Sequence, residues 1–211
     1  MLTGYKFESI RALHTENVIA WEMLSTAKPH VNLEHYFRAM SFAQRKQHFF
    51  AQLCHAMSCN AQGKYYLNAT SDLLLEESFF TRLILETPRP EQLAIEVTDL
   101  EQIVQLSAKD TRTLRQRIAS LRQWGVEVWA DDVFEAILPQ LLARQFLFYG
   151  VKIDKQAFWS GRTETEHFLH LTQRCKSLAN KVLIEGIETF ADFALARASA
   201  ADYGQGYLWN K

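Results

Sequence analysis

Short apolar runs, each closed by a carboxylate or an amide, recur along the chain and alternate with longer amphipathic stretches. Seven such runs occupy residues 19–22, 65–68, 93–96, 128–132, 150–154, 182–186 and 203–206. Their length and their β-branched and aromatic content predict strands, and the stretches between them predict helices. The polar residues fall at the downstream ends: Glu22, Asn68, Glu96, Asp131 with Asp132, Lys152 with Asp154, Glu185, and Gln205. Strand and helix in regular alternation predict an α/β fold of the TIM-like (β/α) barrel type. Its strand C-termini converge on one face and bring sequence-distant side chains together.

The amphipathic stretches carry their own punctuation. Residues 32–58 predict two helices with apolar faces supplied by Tyr36, Phe37, Met40, Phe42, Phe49, Phe50 and Leu53, an aromatic density that belongs to a core. Ser71 and Asp72 predict the start of a helix reaching Leu85, stopped by Pro88 and Pro90. Residues 106–124 place Leu106, Leu114, Ile118 and Leu121 on one face, with Gly125 where a C-cap belongs. Further helices are predicted at 138–144, 163–178 and 189–200. The last strand is expected at 206–209, with only Asn210 and Lys211 after it. A closed barrel covers each strand with a helix, so the expectation is a barrel missing its last covering helix, through truncation or because a partner covers that wall.

Composition narrows the function classes. At 211 residues, 48% hydrophobic and without a Pro/Gly/Ser-rich linker, the chain is expected to form a single domain over residues 1–211. The formal net charge is −1 and the Lys and Arg residues are scattered, which argues against direct nucleic-acid binding. The three cysteines, Cys54, Cys59 and Cys175, have no metal-type spacing and predict reduced thiols in a cytoplasmic protein. The N-terminus has no apolar signal core and no run is long enough to span a bilayer, so no membrane association is expected. Converging carboxylate, amide and carbonyl oxygens suit Mg²⁺ or Mn²⁺.

On these motifs the chain resembles the EAL domain family, the bacterial phosphodiesterases that linearise cyclic di-GMP and their non-catalytic relatives. The signature resembles Glu22-Met23-Leu24, with Met in place of Ala; Asn68 matches a strand-end Asn, and Glu96-Val97-Thr98-Asp99 matches E-x-T-E. Asp131-Asp132 matches an Asp pair, Lys152-Ile153-Asp154 a lysine motif, Glu185-Gly186-Ile187-Glu188 an E-G-V-E, and Gln205-Gly206-Tyr207 a Q-G-Y. The resemblance implies a first Mg²⁺ or Mn²⁺ on Glu22, Asn68, Glu96 and Asp131, and a second served by Asp131, Asp132 and Glu185. It implies catalytic roles for Lys152, Glu185, Glu188 and Gln205, with Lys152 orienting the attacking water.

Three departures bear on activity. Active members carry an Arg where this chain has Thr26, which removes a charge-assisted phosphate contact worth about 1.5–3 kcal/mol of binding. After Asp131-Asp132 the family runs into a Gly-rich loop coupled to dimerisation, whereas here Val133 to Pro139 contain no glycine. Glu8 stands where the family has a neutral amide, and Asp99 where it has Glu. The resemblance therefore implies first a degenerate regulator that works by binding a protein, for example a motility or flagellar transcription regulator, in a pathway controlling biofilm formation. Cyclic di-GMP hydrolysis is then weak or lost. The alternative is a Mg/Mn-dependent phosphodiesterase producing linear pGpG. A third expectation, a receptor that binds cyclic di-GMP without cutting it, suffers most from Thr26 and Glu8.

Overall fold

A computed structural model of the chain describes residues 2–59 and 63–209. Eight strands close into a barrel in sequence order: β1 (Leu2–Ala12), β2 (Val18–Ala27), β3 (Lys64–Ala69), β4 (Leu93–Val97), β5 (Glu127–Val133), β6 (Phe148–Ile153), β7 (Ala179–Ile184) and β8 (Tyr203–Gly204). Neighbours from β2 to β8 pair in parallel, whereas β1 runs antiparallel to both β2 and β8. The expected barrel is present, with one strand more than the seven runs. A strand that enters backwards carries its polar residue in mid-strand, so β1 lacks the downstream carboxylate that marks the others.

Ten helices are described: α1 (Leu33–Arg38), α2 (Phe42–Ser58), α3 (Ser71–Leu75), α4 (Glu77–Glu86), α5 (Leu100–Ile103), α6 (Ala108–Trp124), α7 (Leu138–Ala143), α8 (Lys155–Ser160), α9 (Thr165–Cys175) and α10 (Phe190–Ala198). The two helices expected over 32–58 are α1 and α2. Asn32 caps the first, and a Ser41–Gln44 capping box opens the second. α6 ends at Gly125 in the left-handed region (φ 106°), with Leu114, Ile118 and Leu121 buried against the barrel.

Three expectations change. The helix from Ser71 toward Leu85 is broken at Glu76, whose extended backbone (φ −84°, ψ 127°) lets its carboxylate accept from the amides of Ser78 and Phe79 and so cap α4. The helix expected over 163–178 is preceded by a separate α8, capped by Asp154. The last strand is Tyr203–Gly204 and not 206–209; Tyr207–Trp209 form a 3-10 turn, and Asn210 and Lys211 lie outside the described residues.

Two apolar layers hold this frame. The larger fills the space between strands and helices, with Phe49, Phe79, Leu83, Leu114, Phe146, Phe158 and Phe168 nearly inaccessible to solvent. Burial of such side chains stabilises by roughly 1.5–3 kcal/mol each. The smaller lies inside the barrel and consists of Ile10, Ala20, Tyr66, Ala94, Trp129 and Leu183. Side chains on one face of a strand recur every second residue. The positions two steps nearer the mouth are therefore Glu8, Glu22, Asn68, Glu96, Asp131 and Glu185. For β1 that step runs toward the N-terminus, because the strand is reversed.

Candidate metal centre at the barrel mouth

Each polar residue above the inner layer is fixed by the strand ladder beneath it. Glu22 pairs in register with Glu8 of β1, and Asn68 with Glu96 across β3 and β4. Beyond the strand ends the ladder continues: the Glu185 amide donates to the Ile153 carbonyl (3.2 Å), and the Gln205 amide to the Ile184 carbonyl (2.9 Å). In β5 the register with β6 shifts between Ala130 and Val133, and Asp132 takes a left-handed backbone (φ 51°). This irregularity aims Asp131 inward and leaves Asp132 exposed. Gly206 is required where it stands: a Cβ there would lie 2.1 Å from the Ile187 carbonyl oxygen, backbone that cannot step aside.

Lys152 rises from β6 into the middle of the mouth, 1% exposed. Its Nζ lies 2.6 Å from Glu185 Oε1, 2.9 Å from Glu96 Oε1, 3.2 Å from Asp131 Oδ1 and 3.5 Å from Glu22 Oε2. The Gln205 side-chain amide donates to Glu22 Oε2 at 2.6 Å and to Glu8 Oε2 at 3.3 Å. Four of the expected ligands thus surround the expected lysine, with the expected glutamine on Glu22 and a fifth, Asn68, beside Glu96 in the same ladder.

Four carboxylates surround a single ammonium at the mouth, and their electrostatics reflect that crowding. Burial, reinforced by Asp131 and Glu22 and opposed by Lys152, pushes the Glu185 carboxyl up to about 8. Burial also raises Glu96 well above the carboxylate range, again opposed by Lys152. Asp132, exposed as a residue but with a partly desolvated carboxyl, is pushed up to about 6 by that desolvation and by its neighbour Asp131. For Lys152, burial lowers the pKa, but Asp131, Glu185, Glu22 and Glu96 more than reverse it and the ammonium is held firmly charged. Asn68 Oδ1 and Glu96 Oε2 are buried without a hydrogen-bond donor, while Glu96 Oε1 and Asp131 Oδ1 have the Lys152 ammonium as their partner. Unpartnered buried oxygens are costly, and carboxylate and amide oxygens are the donors that Mg²⁺ and Mn²⁺ accept. The donor set fits such an ion.

The second expected group divides. Asp132 and Glu185 bring oxygens within 4.8 Å of one another together with Asp154, while Asp131 is turned toward Lys152. Asp154, not among the expected ligands, also caps α8 by accepting from the Gln156 amide at 2.8 Å. Its place at a strand end was the available signal, masked because a strand-end acid so often serves as a helix cap. Glu188 does not join the lysine cluster. It faces a smaller cleft of about 290 Å³ shared with Glu8, Glu22, Lys155 and Tyr207, and its carboxylate lies 3.6 Å from Arg162.

The departures noted in the sequence also have places. Thr26 lies on the same side of β2 as Glu22 and Leu24, with its hydroxyl 3.1 Å from that of Thr3. Asp99 holds the loop after β3, accepting from the Ser71 amide at 2.7 Å and from the Ser71 hydroxyl at 2.6 Å. Glu135, in the glycine-free turn after β5, is tied to α9 by Arg174 (3.0 Å) and His167 (2.7 Å). On the other side of the mouth a cleft of about 670 Å³ runs past Ser25, His48, Asn68, Asp131 and Asp132.

A family model described as the EAL domain matches residues 6–211. The chain belongs to the EAL domain family. Within it, the chain is 32% identical over 123 residues to the probable cyclic di-GMP phosphodiesterase PdeB of Escherichia coli K12; the match covers 58% of this chain and 22% of that protein. The chain thus spans about a fifth of that relative's length. Solved structures with the same fold include the Klebsiella pneumoniae BlrP1 complex with calcium and cyclic di-GMP, at 20% identity and TM-score 0.76, over 97% of this chain and 54% of that one. A standalone EAL protein from Vibrio cholerae in its cyclic di-GMP-bound form aligns at 16% identity and TM-score 0.75, over 100% of this chain and 92% of that one. The eight-stranded barrel with its reversed first strand is therefore an EAL barrel, and its mouth is the face described above. Among the described residues, no helix is long and apolar enough to cross a membrane.

Proposed function

We propose that this EAL domain is a divalent-metal-dependent phosphodiesterase that opens cyclic di-GMP to linear pGpG, with its grip on the substrate weakened. The observation that carries the proposal is the convergence of Glu22, Glu96 and Asp131 around one point, beside Asn68 in the strand ladder, with Asn68 Oδ1 and Glu96 Oε2 buried and without a donor. A bound divalent ion supplies Lewis acidity and a water of lowered pKa.

The chain's own residues do the rest. Glu22, Asn68, Glu96 and Asp131 are the candidate holders of the ion, and Gln205 orients Glu22. Asp132, Glu185 and Asp154 offer a second group of oxygens. Lys152 places the one positive side chain of the cluster where it can donate to an attacking water and offset charge on the phosphate. Thr26 supplies no cation for a substrate phosphate, so ground-state binding falls by about one to two decades relative to an Arg at that position.

A second function, regulation by protein binding with hydrolysis lost, is favoured by the turn after β5. Glu135 clamps that turn to α9, in place of a glycine-rich loop. The two are separated by incubating the purified protein with cyclic di-GMP and Mn²⁺ and following pGpG, with Glu22→Ala as the control. Product that disappears in the variant supports the phosphodiesterase. No product at saturating Mn²⁺ and substrate overturns it in favour of the regulator.

A further inference from the structure

Four carboxylates approach the Lys152 ammonium within 3.5 Å, and the group is shut off from solvent. A lysine has three N–H donors, so one ammonium cannot satisfy four carboxylates in the same geometry. Its position still answers a need. Without a positive charge there, Glu22, Glu96, Asp131 and Glu185 would face one another buried and unpaired, an arrangement that disfavours the charged forms and the fold that holds them. Three of those residues, Glu22, Glu96 and Asp131, are also candidate holders of a divalent ion. A monovalent and a divalent cation placed among the same oxygens repel strongly in a site that excludes water.

We propose that Lys152 is the mouth's resident cation: its ammonium and a divalent ion use the same Glu22, Glu96 and Asp131 oxygens alternately. Ion entry then requires the lysine side chain to swing off these oxygens. This inference rests on the mouth being a divalent-metal site and adds a second role for Lys152, which is to set the affinity of that site and to hold it together when no metal is bound. The flexible four-carbon stem permits such a movement, and a compact ammonium gives up a carboxylate more readily than a bidentate guanidinium.

The test is Ca²⁺ calorimetry and thermal melting of the full chain, wild type against Lys152→Met. The expected result is that the variant melts lower than wild type in chelator, recovers in Ca²⁺, and binds Ca²⁺ more tightly, by roughly 5–150-fold, the usual span of coupling between two ligands. Equal or weaker Ca²⁺ binding by the variant, with wild type binding normally, overturns the inference and leaves the metal site standing. Ca²⁺ binding by neither protein removes the metal site and the inference with it. If Lys152→Met does not fold, the ¹⁵N ammonium resonance of Lys152 in the wild-type protein decides. On saturation with Ca²⁺ it should shift and exchange faster with solvent, and an unmoved resonance with Ca²⁺ bound overturns the proposal.

Discussion

The Gln205 side-chain amide donates to Glu22 Oε2 at 2.6 Å, joining the strand that ends the barrel to the one next to its start. Glu22 has no other side-chain donor as close, since Lys152 stands at 3.5 Å. Partners of this kind orient a ligand, and their loss costs roughly 10–100-fold in metal affinity. Gln205→Ala is therefore expected to weaken Mn²⁺ binding by about that factor in calorimetry. Unchanged affinity would show that Glu22 is oriented by the barrel alone.

Thr26→Arg places a guanidinium on the side of β2 that carries Glu22 and Leu24, at the cost of the hydroxyl contact to Thr3. A charge-assisted contact of about 1.5–3 kcal/mol corresponds to cyclic di-GMP affinity higher by roughly one to two decades. Titration of the variant with cyclic di-GMP in Ca²⁺ measures this directly. No gain would mean that residue 26 does not reach the substrate phosphate.

Glu135 is the tie between the turn after β5 and α9, through Arg174 and His167. All three side chains are substantially exposed, so Glu135→Ala is expected to cost no more than about 1 kcal/mol in stability. Hydrogen exchange at residues 134–137 should nevertheless accelerate, because the turn loses both of its side-chain anchors. Unchanged exchange would place the rigidity of the turn in its apolar residues instead.

Asp192 organises the segment that carries Glu185 and Glu188. It forms a capping box with Thr189, accepts from the Glu188 amide at 3.1 Å, and takes two bonds from Arg162 at 2.8 and 2.9 Å. Burial raises its pKa, but the Arg162 bonds and the backbone amides outweigh this and hold it below the ordinary 3.8. A carboxylate depressed in the folded state stabilises the protein above its unfolded pKa, and that stability is lost as pH falls through the folded value. Asp192→Asn should cost about 1–3 kcal/mol at neutral pH. The variant should also show a smaller loss of stability than wild type as pH drops below about 4, measured by urea unfolding.

The sequence made the barrel legible from β2 to β7, where strands run toward the mouth, whereas the last strand was expected at 206–209 and lies at Tyr203–Gly204. Apolar residues such as Ile19–Ala20 and Leu93–Ala94 led into Glu22 and Glu96, and the same two-residue step later placed the inner layer beneath the site. β1 escaped because it runs the other way, so Glu8 precedes its inner-layer residue Ile10 instead of following it. The break at Glu76 escaped because its helix-forming neighbours continue the periodicity, and only the carboxylate's turn onto the Ser78 and Phe79 amides interrupts it. The candidate ligands Glu22, Asn68, Glu96 and Asp131 could be named together, because each closes an apolar run and matches a motif of the resembled family. The central position of Lys152 was not, because residue spacing fixes which face of β6 it occupies but not how far its flexible stem reaches.

The most direct measurement is a crystal structure of the full chain grown or soaked in Ca²⁺, read by anomalous scattering. The account predicts a Ca²⁺ peak about 2.3–2.6 Å from oxygens of Glu22, Asn68, Glu96 and Asp131, with Lys152 moved off Glu96 and Asp131. A mouth without that peak at saturating Ca²⁺, and with the lysine still among the four carboxylates, would contradict it.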